Sequence, residues 1–194
     1  MNLREPAIPY EVKKQRLLDA IARAGQGMRP GLAKTTSNLF RDRSRADTPR
    51  IDLSHFNEVL RVGAAAGTVT AEGMTTFAAL AEATLAAGTM PLVVPQLKSI
   101  TLGGAVAGVG IEATSFRHGL VHHMVTEVDV LTADGRIVTC TADNEYRDLF
   151  YGLPNSYGTL GYALRVTART APVKPFVRIE HRRFADAASC FAAI

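Results

Sequence analysis

Apolar residues recur along the chain at two spacings, and each spacing predicts a different kind of element. In residues 11–24 the apolar side chains fall roughly on one face of a helix, and the glycines that follow end it. A second helix is predicted from Thr75, which can cap its start, to residue 87, with Gly88 at its end.

Alternating or continuous apolar runs predict β-strands in much of the remaining chain. The Asp134-Gly135 pair lies between two such runs and is a strong signal for a hairpin. Short helices are predicted at 145–151 and from Phe184 onward. The predicted strands cover residues 59–62, 68–71, 91–95, 125–131, 136–141, 162–168 and 176–181.

The stretch 98–120 holds five of the sixteen glycines and almost no charge. Glycine this dense destabilises a helix or a strand, so we predict a shaped loop, buried because apolar residues separate the glycines. Buried backbone N–H groups need partners, and a bound ligand can supply them. A tight crossing between two packed elements would account for the same residues, so both interpretations stay open.

A second segment, residues 29–41, is rich in small hydroxyl and amide side chains. Its centre is a compact cluster of donors: Lys34, Thr35, Thr36, Ser37 and Asn38. Hydroxyls and backbone amides can donate to phosphate oxygens, and lysine adds positive charge. Taken alone, however, the segment is better explained as a turn and a helix cap, where serine and asparagine are also common.

Composition limits the classes of function. With 194 residues, 47% hydrophobic and 21% charged, the chain has enough apolar material for a folded core. Its net charge of +4 comes from scattered basic residues, so no nucleic-acid partner is expected. Two cysteines without CxxC spacing predict no metal site and a reducing, cytoplasmic location. No apolar run is long enough to predict a transmembrane helix.

Residues 108–113, Gly-Val-Gly-Ile-Glu-Ala, match the GxGxxG/A pattern of dinucleotide-binding Rossmann folds. That fingerprint needs a strand before it and a full helix that opens at its second glycine. Gly104 and Gly119 interrupt the two flanks, so an NAD(P)-binding Rossmann protein is the weakest alternative. The P-loop pattern and the GxSxG hydrolase elbow do not occur.

Three ordered motifs together resemble one protein family. They are SITLGGAVAGVGIEATSFRHGLVHH, VLTADGRIVTCT and LFYGLPNSYGTLGYAL, within a region that runs from residue 29 to 175. The pattern resembles the FAD-linked oxidoreductases with a PCMH-type (vanillyl-alcohol-oxidase-like) flavin domain, and most of all their sterol Δ24-reductase (24-dehydrocholesterol reductase) branch. The resemblance implies an α+β fold, namely a PCMH-type FAD-binding domain of two α+β subdomains with FAD between them.

The resemblance also assigns cofactor contacts to particular segments. The donor cluster stands where the family's pyrophosphate loop lies, and residues 101–113 stand where the family wraps the flavin and its ribityl-phosphate arm. Ser115 closes that site, and Gly161 and Tyr162 stand where the family meets the adenine end through its backbone. The implied cofactor-binding residues are Lys34, Thr35, Thr36, Ser37, Asn38, Thr101, Leu102, Gly103, Gly104, Ala105, Val106, Ala107, Gly108, Val109, Gly110, Ile111, Glu112, Ala113, Ser115, Gly161 and Tyr162.

Family members that link FAD covalently use a histidine or cysteine, and the donor cluster has neither, so non-covalent FAD is expected. The implied organisation is an N-terminal helix in 1–28, a flavin domain in 29–175 and the start of an incomplete substrate domain in 176–194. The chain is therefore expected to be truncated, and it offers no assignable catalytic residue.

The activity that the resemblance implies is flavin-dependent oxidation or reduction of a small molecule, either a sterol-like alkene or an alcohol. The alternative is a truncated FAD-binding module without turnover of its own. A separate chain that supplies the missing substrate domain is one expected partner.

Overall fold

A computed structural model describes residues 8–24, 31–32 and 50–194 of the chain. The helices are α1 (Tyr10–Ala24), α2 (Phe77–Ala86), α3 (Leu102–Gly108), α4 (Ser115–His118), α5 (Arg147–Gly152) and α6 (Ala187–Ala192). The strands are β1 (Gly31–Leu32), β2 (Arg50–Ile51), β3 (Val59–Gly63), β4 (Thr68–Glu72), β5 (Thr89–Pro91), β6 (Val125–Leu131), β7 (Ile137–Thr141) and β8 (Tyr162–Pro172). Short 3-10 turns lie at Ala64–Ala66 and Val121–Met124.

A six-stranded antiparallel sheet organises the described part of the chain. Its strand order is β3-β4-β8-β6-β7, and β5 pairs with the end of β8. The strands β1 and β2 form a separate parallel pair. Because a Rossmann fold is built on a mostly parallel sheet, this arrangement is inconsistent with the NAD(P)-binding alternative.

Most of the predicted elements are confirmed to within a few residues. The strand expected at 125–131 has those bounds, and the helix expected at 11–24 begins one residue earlier, at Tyr10. The hairpin is confirmed, since β6 and β7 pair in antiparallel register and Gly135 has a positive φ of 81°. The second helix is capped by Thr76, whose hydroxyl accepts from the Ala79 N–H at 3.3 Å, rather than by the residue before it.

Three predictions about local structure were wrong. The glycine-rich stretch is not a loop throughout, because its residues 102–108 form α3. The strand expected at 91–95 lies at 89–91, where it can pair with the end of β8. The strand expected at 176–181 is absent: these residues are exposed and form no regular structure. The domain limits after residues 28 and 175 stay predictions.

Helix α3 packs directly on the sheet without side chains between the two backbones. The Gly103 N–H donates to the Gly73 carbonyl at 2.8 Å, and a Cβ on Gly103 would lie 3.1 Å from the Cβ of Ala163 in β8. At Gly73 a Cβ would lie 1.8 Å from the Ala163 carbonyl oxygen. The close approach of helix and strand therefore requires glycine at position 73 and leaves little room for a side chain at Gly103. For Gly103 this is one of the two roles that the sequence left open.

Helix α1 is held to the sheet by two polar contacts that lie almost wholly out of solvent. Lys13 Nζ donates to both carboxylate oxygens of Glu72, at 2.8 and 3.0 Å, and these side chains are 4% and 0% exposed. The Glu58 backbone N–H donates to the same carboxylate at 2.9 Å. Burial raises the pKa of Glu72, and the bonds from Lys13 and Glu58 act in the opposite direction.

The second contact centres on Asp129 in β6. The Tyr10 hydroxyl donates to Asp129 Oδ2 at 2.7 Å, and the Thr139 hydroxyl donates to Asp129 Oδ1 at 2.7 Å. The Arg165 guanidinium lies 3.0 Å from Asp129 and also 3.0 Å from Glu127. Every lone-pair direction of the buried carboxylate thus faces a donor, which is the condition for burying a charge at tolerable cost.

Lys13→Met tests the buried pair, because it leaves the Glu72 carboxylate in the interior without its cation. We expect a loss of about 3–5 kcal/mol in the free energy of unfolding, measured by urea denaturation. The double variant Lys13→Met/Glu72→Gln should lose less than the single one, since the amide oxygen still accepts from Glu58 without carrying charge. Lys14→Met is the matched control: its partner Glu11 is 70% exposed, so about 0–1 kcal/mol is expected. Equal losses at residues 13 and 14 would contradict the analysis.

Gly73→Ala tests the close approach of α3. The added methyl group would collide with the backbone of Ala163, which cannot rotate away, so a loss of about 1–3 kcal/mol is expected on denaturation. At Gly108, where a Cβ would have 3.7 Å to its nearest neighbour, the same change should cost nothing, or gain up to about 1 kcal/mol of helix stability. The prediction fails if both alanine variants unfold at the same urea concentration.

Candidate functional site

The start of α3 uses its own backbone donors. Thr101 caps the helix, and its hydroxyl accepts from the Gly104 N–H at 3.3 Å. The Leu102 N–H donates to the Thr75 carbonyl at 2.9 Å, and Gly103 is bonded to the neighbouring loop as described above. These amides are consumed by the fold, so the buried half of the predicted segment 101–113 serves packing.

The other end of α3 turns through an unusual backbone conformation. Val109 has φ 57° and ψ 77°, in the left-handed region that β-branched residues rarely adopt. The next residue, Gly110, donates to the Ala105 carbonyl and accepts from the Val121 N–H, both at 3.1 Å. A Cβ on Gly110 would lie 2.7 Å from Val121 Cγ2, so glycine is needed here for close approach.

Residues 111–118 form a more exposed turn. The Ser115 hydroxyl accepts from the Glu112 N–H at 2.9 Å, and Glu112 Oε2 accepts from the Gln96 N–H at 3.2 Å. Ile111 and Phe116 are 71% and 86% exposed. Ser115, predicted to close a cofactor site, thus orders the turn that follows α3.

A loop far along the chain meets the end of α3. The Tyr157 N–H donates to the Ala107 carbonyl at 3.1 Å, and Tyr157 Cε1 lies 3.7 Å from the position of a Cβ on Gly108. On its other side, a Cβ on Gly158 would lie 2.9 Å from the Tyr162 ring. We call this region, Ala107–Val109 with Asn155–Gly158 and Tyr162, the glycine junction. It brings the predicted segments 101–113 and 161–162 to one place.

The glycine junction also concentrates backbone strain. Among the described residues, the non-glycine residues with positive φ are Val109 (57°), Asn155 (62°) and Tyr157 (49°), and all three lie in it. Such conformations cost on the order of 1–3 kcal/mol each and cluster at ligand-binding sites.

Gly161 and Tyr162, the other predicted contact pair, stand at the start of β8. Gly161 is buried with φ 145°, and a Cβ on it would lie 2.5 Å from the Leu131 carbonyl oxygen. Tyr162 pairs with Leu131 in the sheet. Here too the glycine permits close approach between backbones, and its contact with a cofactor stays a prediction.

No group of metal-ligating side chains was found among the described residues. His122 and His123 stack with ring centroids 4.1 Å apart, and burial, followed by the neighbouring His123, lowers the pKa of His122. Burial and, second, Asp129 raise the pKa of the Cys140 thiol to about 11, so it stays protonated at neutral pH. The helices of the described ranges include none that is long and apolar enough to cross a membrane.

The donor cluster Lys34–Asn38 lies outside the described residues. Its association with 101–113 therefore stays a prediction. The structure adds Tyr157, which belongs to the third sequence motif but was not among the predicted site residues. The signal was the Asn-Ser-Tyr-Gly series of turn residues, which predicts positive φ but not a contact with α3 fifty positions earlier.

Comparisons with known proteins identify the family of this chain. A family model described as an FAD binding domain matches residues 20–141. The Δ24-sterol reductase of Pisum sativum is 32% identical over 141 residues, which are 73% of this chain and 25% of that protein. The enzyme of the same name from Homo sapiens is 42% identical over 91 residues, 47% of this chain and 17% of that protein.

Among solved structures, 6-hydroxy-D-nicotine oxidase from Arthrobacter nicotinovorans has a similar fold. The TM-score is 0.59 at 17% identity, over 66% of this chain and 28% of that one. The chain thus spans about a quarter of the length of the pea relative. Because the family model covers more than half of the sequence, the chain belongs to the FAD binding domain family, and its cofactor is FAD.

Proposed function

We propose that the chain is the FAD-binding part of a flavin-dependent oxidoreductase that oxidises or reduces a sterol-like alkene or an alcohol. The observation that carries the proposal is the FAD-domain match over 20–141, a range that includes the whole glycine-rich segment. The sterol-like substrate follows from the Δ24-sterol reductases to which the chain is similar.

The residues of the glycine junction suit the flat, neutral rings of the cofactor rather than its charged pyrophosphate. Residues 101–111 carry no charged side chain, and Ala107–Gly110 are half-buried. Gly108 lies against the ring of Tyr157 and Gly158 lies against the ring of Tyr162, so backbone and aromatic rings form the surface here. The start of α3 does not suit phosphate, since its amides are already bonded, so we assign the pyrophosphate to the donor cluster Lys34–Asn38.

In this proposal each segment has one task. Val109–Ala113 contacts the flavin and its ribityl arm, with Ser115 ordering the turn behind it. Gly161 with Tyr162 contacts the adenine end, where the junction residues Ala107 and Gly108 also lie. The flavin supplies the hydride chemistry, while the protein orients it and keeps water from one of its faces. Any group that protonates or deprotonates the substrate would come from outside the residues assigned here.

FAD is proposed to be non-covalent. The donor cluster contains neither histidine nor cysteine, and Cys140 is fully buried with a protonated thiol. Both cysteines are free thiols, which supports the proposed cytoplasmic location.

The alternative is an FAD-binding module without turnover of its own, completed by a substrate domain on a separate chain. The chain spans about a quarter of the length of the pea sterol reductase, so turnover by the whole enzyme is not carried over to it. Substrate domains in such enzymes shape the pocket, so binding and turnover must be measured separately.

The first test is reconstitution of the purified chain with FAD. We expect a stoichiometric yellow complex whose colour is released entirely into the supernatant when the protein is precipitated with acid. Colour that stays with the precipitated polypeptide would contradict non-covalent binding. Binding of NAD(P)H without any flavin would overturn the proposal as a whole.

The second test separates enzyme from module. With an alcohol substrate the bound flavin should bleach under anaerobic conditions, since two electrons pass from alcohol to flavin. With a sterol-like alkene, flavin that has been reduced beforehand should regain its colour as the double bond is saturated. A complex whose absorbance responds to neither class of compound, across a panel of both, would favour the module.

A further inference from the structure

Tyr157 is held in a conformation that its residue type does not favour. Its φ of 49° lies in the left-handed region, where glycine would be accommodated without strain and a bulky residue is an outlier. The next residue along the chain is a glycine that takes its own positive φ of 86°. The turn thus contains a glycine with positive φ, yet the residue before it is an aromatic one whose backbone is strained.

The end of α3 contacts Tyr157 through both its backbone and its ring. Its backbone N–H is bonded to Ala107, and its edge lies over Gly108, where no side chain separates it from the end of α3. The residue nevertheless keeps 42% of its surface exposed. A tyrosine that is pre-positioned and partly exposed can contact a ligand with little loss of conformational freedom.

The neighbours of Tyr157 connect it to the adenine end of the proposed site. Gly158 lies against the ring of Tyr162, so the loop passes directly from Tyr157 to the pair Gly161–Tyr162. No charged residue lies between positions 153 and 162. Nucleobases such as adenine stack favourably on aromatic side chains.

We propose that Tyr157 stacks on the adenine ring of bound FAD, and that its backbone strain is retained because this conformation presents the ring. The inference rests on the proposed function, since it names a further residue of the same cofactor site. Val109, strained in the same junction, directly follows Gly108, which lies beneath the tyrosine.

Three variants and three ligands test this inference on the purified chain. Tyr157→Leu keeps an apolar side chain but removes the aromatic face, and it should raise the Kd for FAD roughly five-fold or more. Tyr157→Phe should bind FAD as the parent chain does. ADP and riboflavin are used as competitors against FAD. ADP reports how the substitution affects binding at the adenine end, and riboflavin reports how it affects binding at the flavin end.

In the Leu variant, the affinity for ADP measured by competition should fall by the same factor as the affinity for FAD. The affinity for riboflavin should stay unchanged. The matched control is Tyr151→Leu, at an exposed tyrosine in α5 that contacts Phe150 and Arg147 instead; it should leave the Kd for FAD unchanged. Far-ultraviolet circular dichroism and urea denaturation establish that each variant is folded.

The outcomes separate the inference from the function beneath it. If the parent chain binds no FAD, both fail. If the parent chain binds FAD and the Leu variant at 157 binds it equally well, or loses ADP and riboflavin competition alike, the adenine assignment of Tyr157 is overturned and the proposed function stands. Weakened FAD and ADP binding in the Leu variant, with the Phe variant intact, supports it.

Discussion

The backbone contact between α3 and the sheet is the constraint on which the candidate site depends. Gly73 and Gly103 allow helix and strand to meet at Ala163 without intervening side chains. Any larger residue at these positions would move α3 outward, and with it the turn at Val109. The loop that carries Tyr157 is bonded to the same helix end, so both halves of the glycine junction take their position from this one contact.

The N-terminal helix contributes stability to the same sheet by a different kind of interaction. Its two anchors, Lys13 and Tyr10, pair with carboxylates at Glu72 and Asp129, on two strands that both flank β8. Because each carboxylate is also bonded to other donors, the pairs are specific in position as well as in charge. The helix therefore lies across β8, with one anchor on each of its two neighbouring strands.

Much of the fold was predictable because its signals are local. Alternation identified the strands of the hairpin, and Asp134-Gly135 identified its turn. The failure at α3 has a physical reason: glycine lowers helix propensity by about 1 kcal/mol per residue, but burial of the helix on the sheet outweighs that cost. The helical spacing was present in Leu102, Ala105 and Val106, all of which are buried. The strand predicted at 176–181 was wrong for a different reason: the segment has the pattern of a strand but no adjacent strand to pair with in the described fold.

The site itself was predictable only in part. The glycine-rich segment and the pair at 161–162 could be assigned from ordered motifs, but the contact that joins them runs through Tyr157 and depends on tertiary structure. Sequence patterns indicate the backbone conformation that a residue type prefers, whereas Tyr157 and Val109 adopt conformations that their residue types disfavour. Residue propensities cannot predict such conformations, because the tertiary structure rather than the local sequence determines them.

The position of β8 has a consequence for how this chain forms during synthesis. The strand lies between β4 and β6 and also holds β5, yet it is made after all of them. Until residue 172 has left the ribosome, β4 and β6 each expose an unpaired edge. The hairpin of β6 and β7 then lacks β8, the strand that pairs with β6 in the complete sheet. The addition of β8 to the sheet is thus a late step that joins residues far apart in the sequence. Such topologies fold slowly, and their unpaired, aggregation-prone strand edges are exposed to chaperones in the meantime.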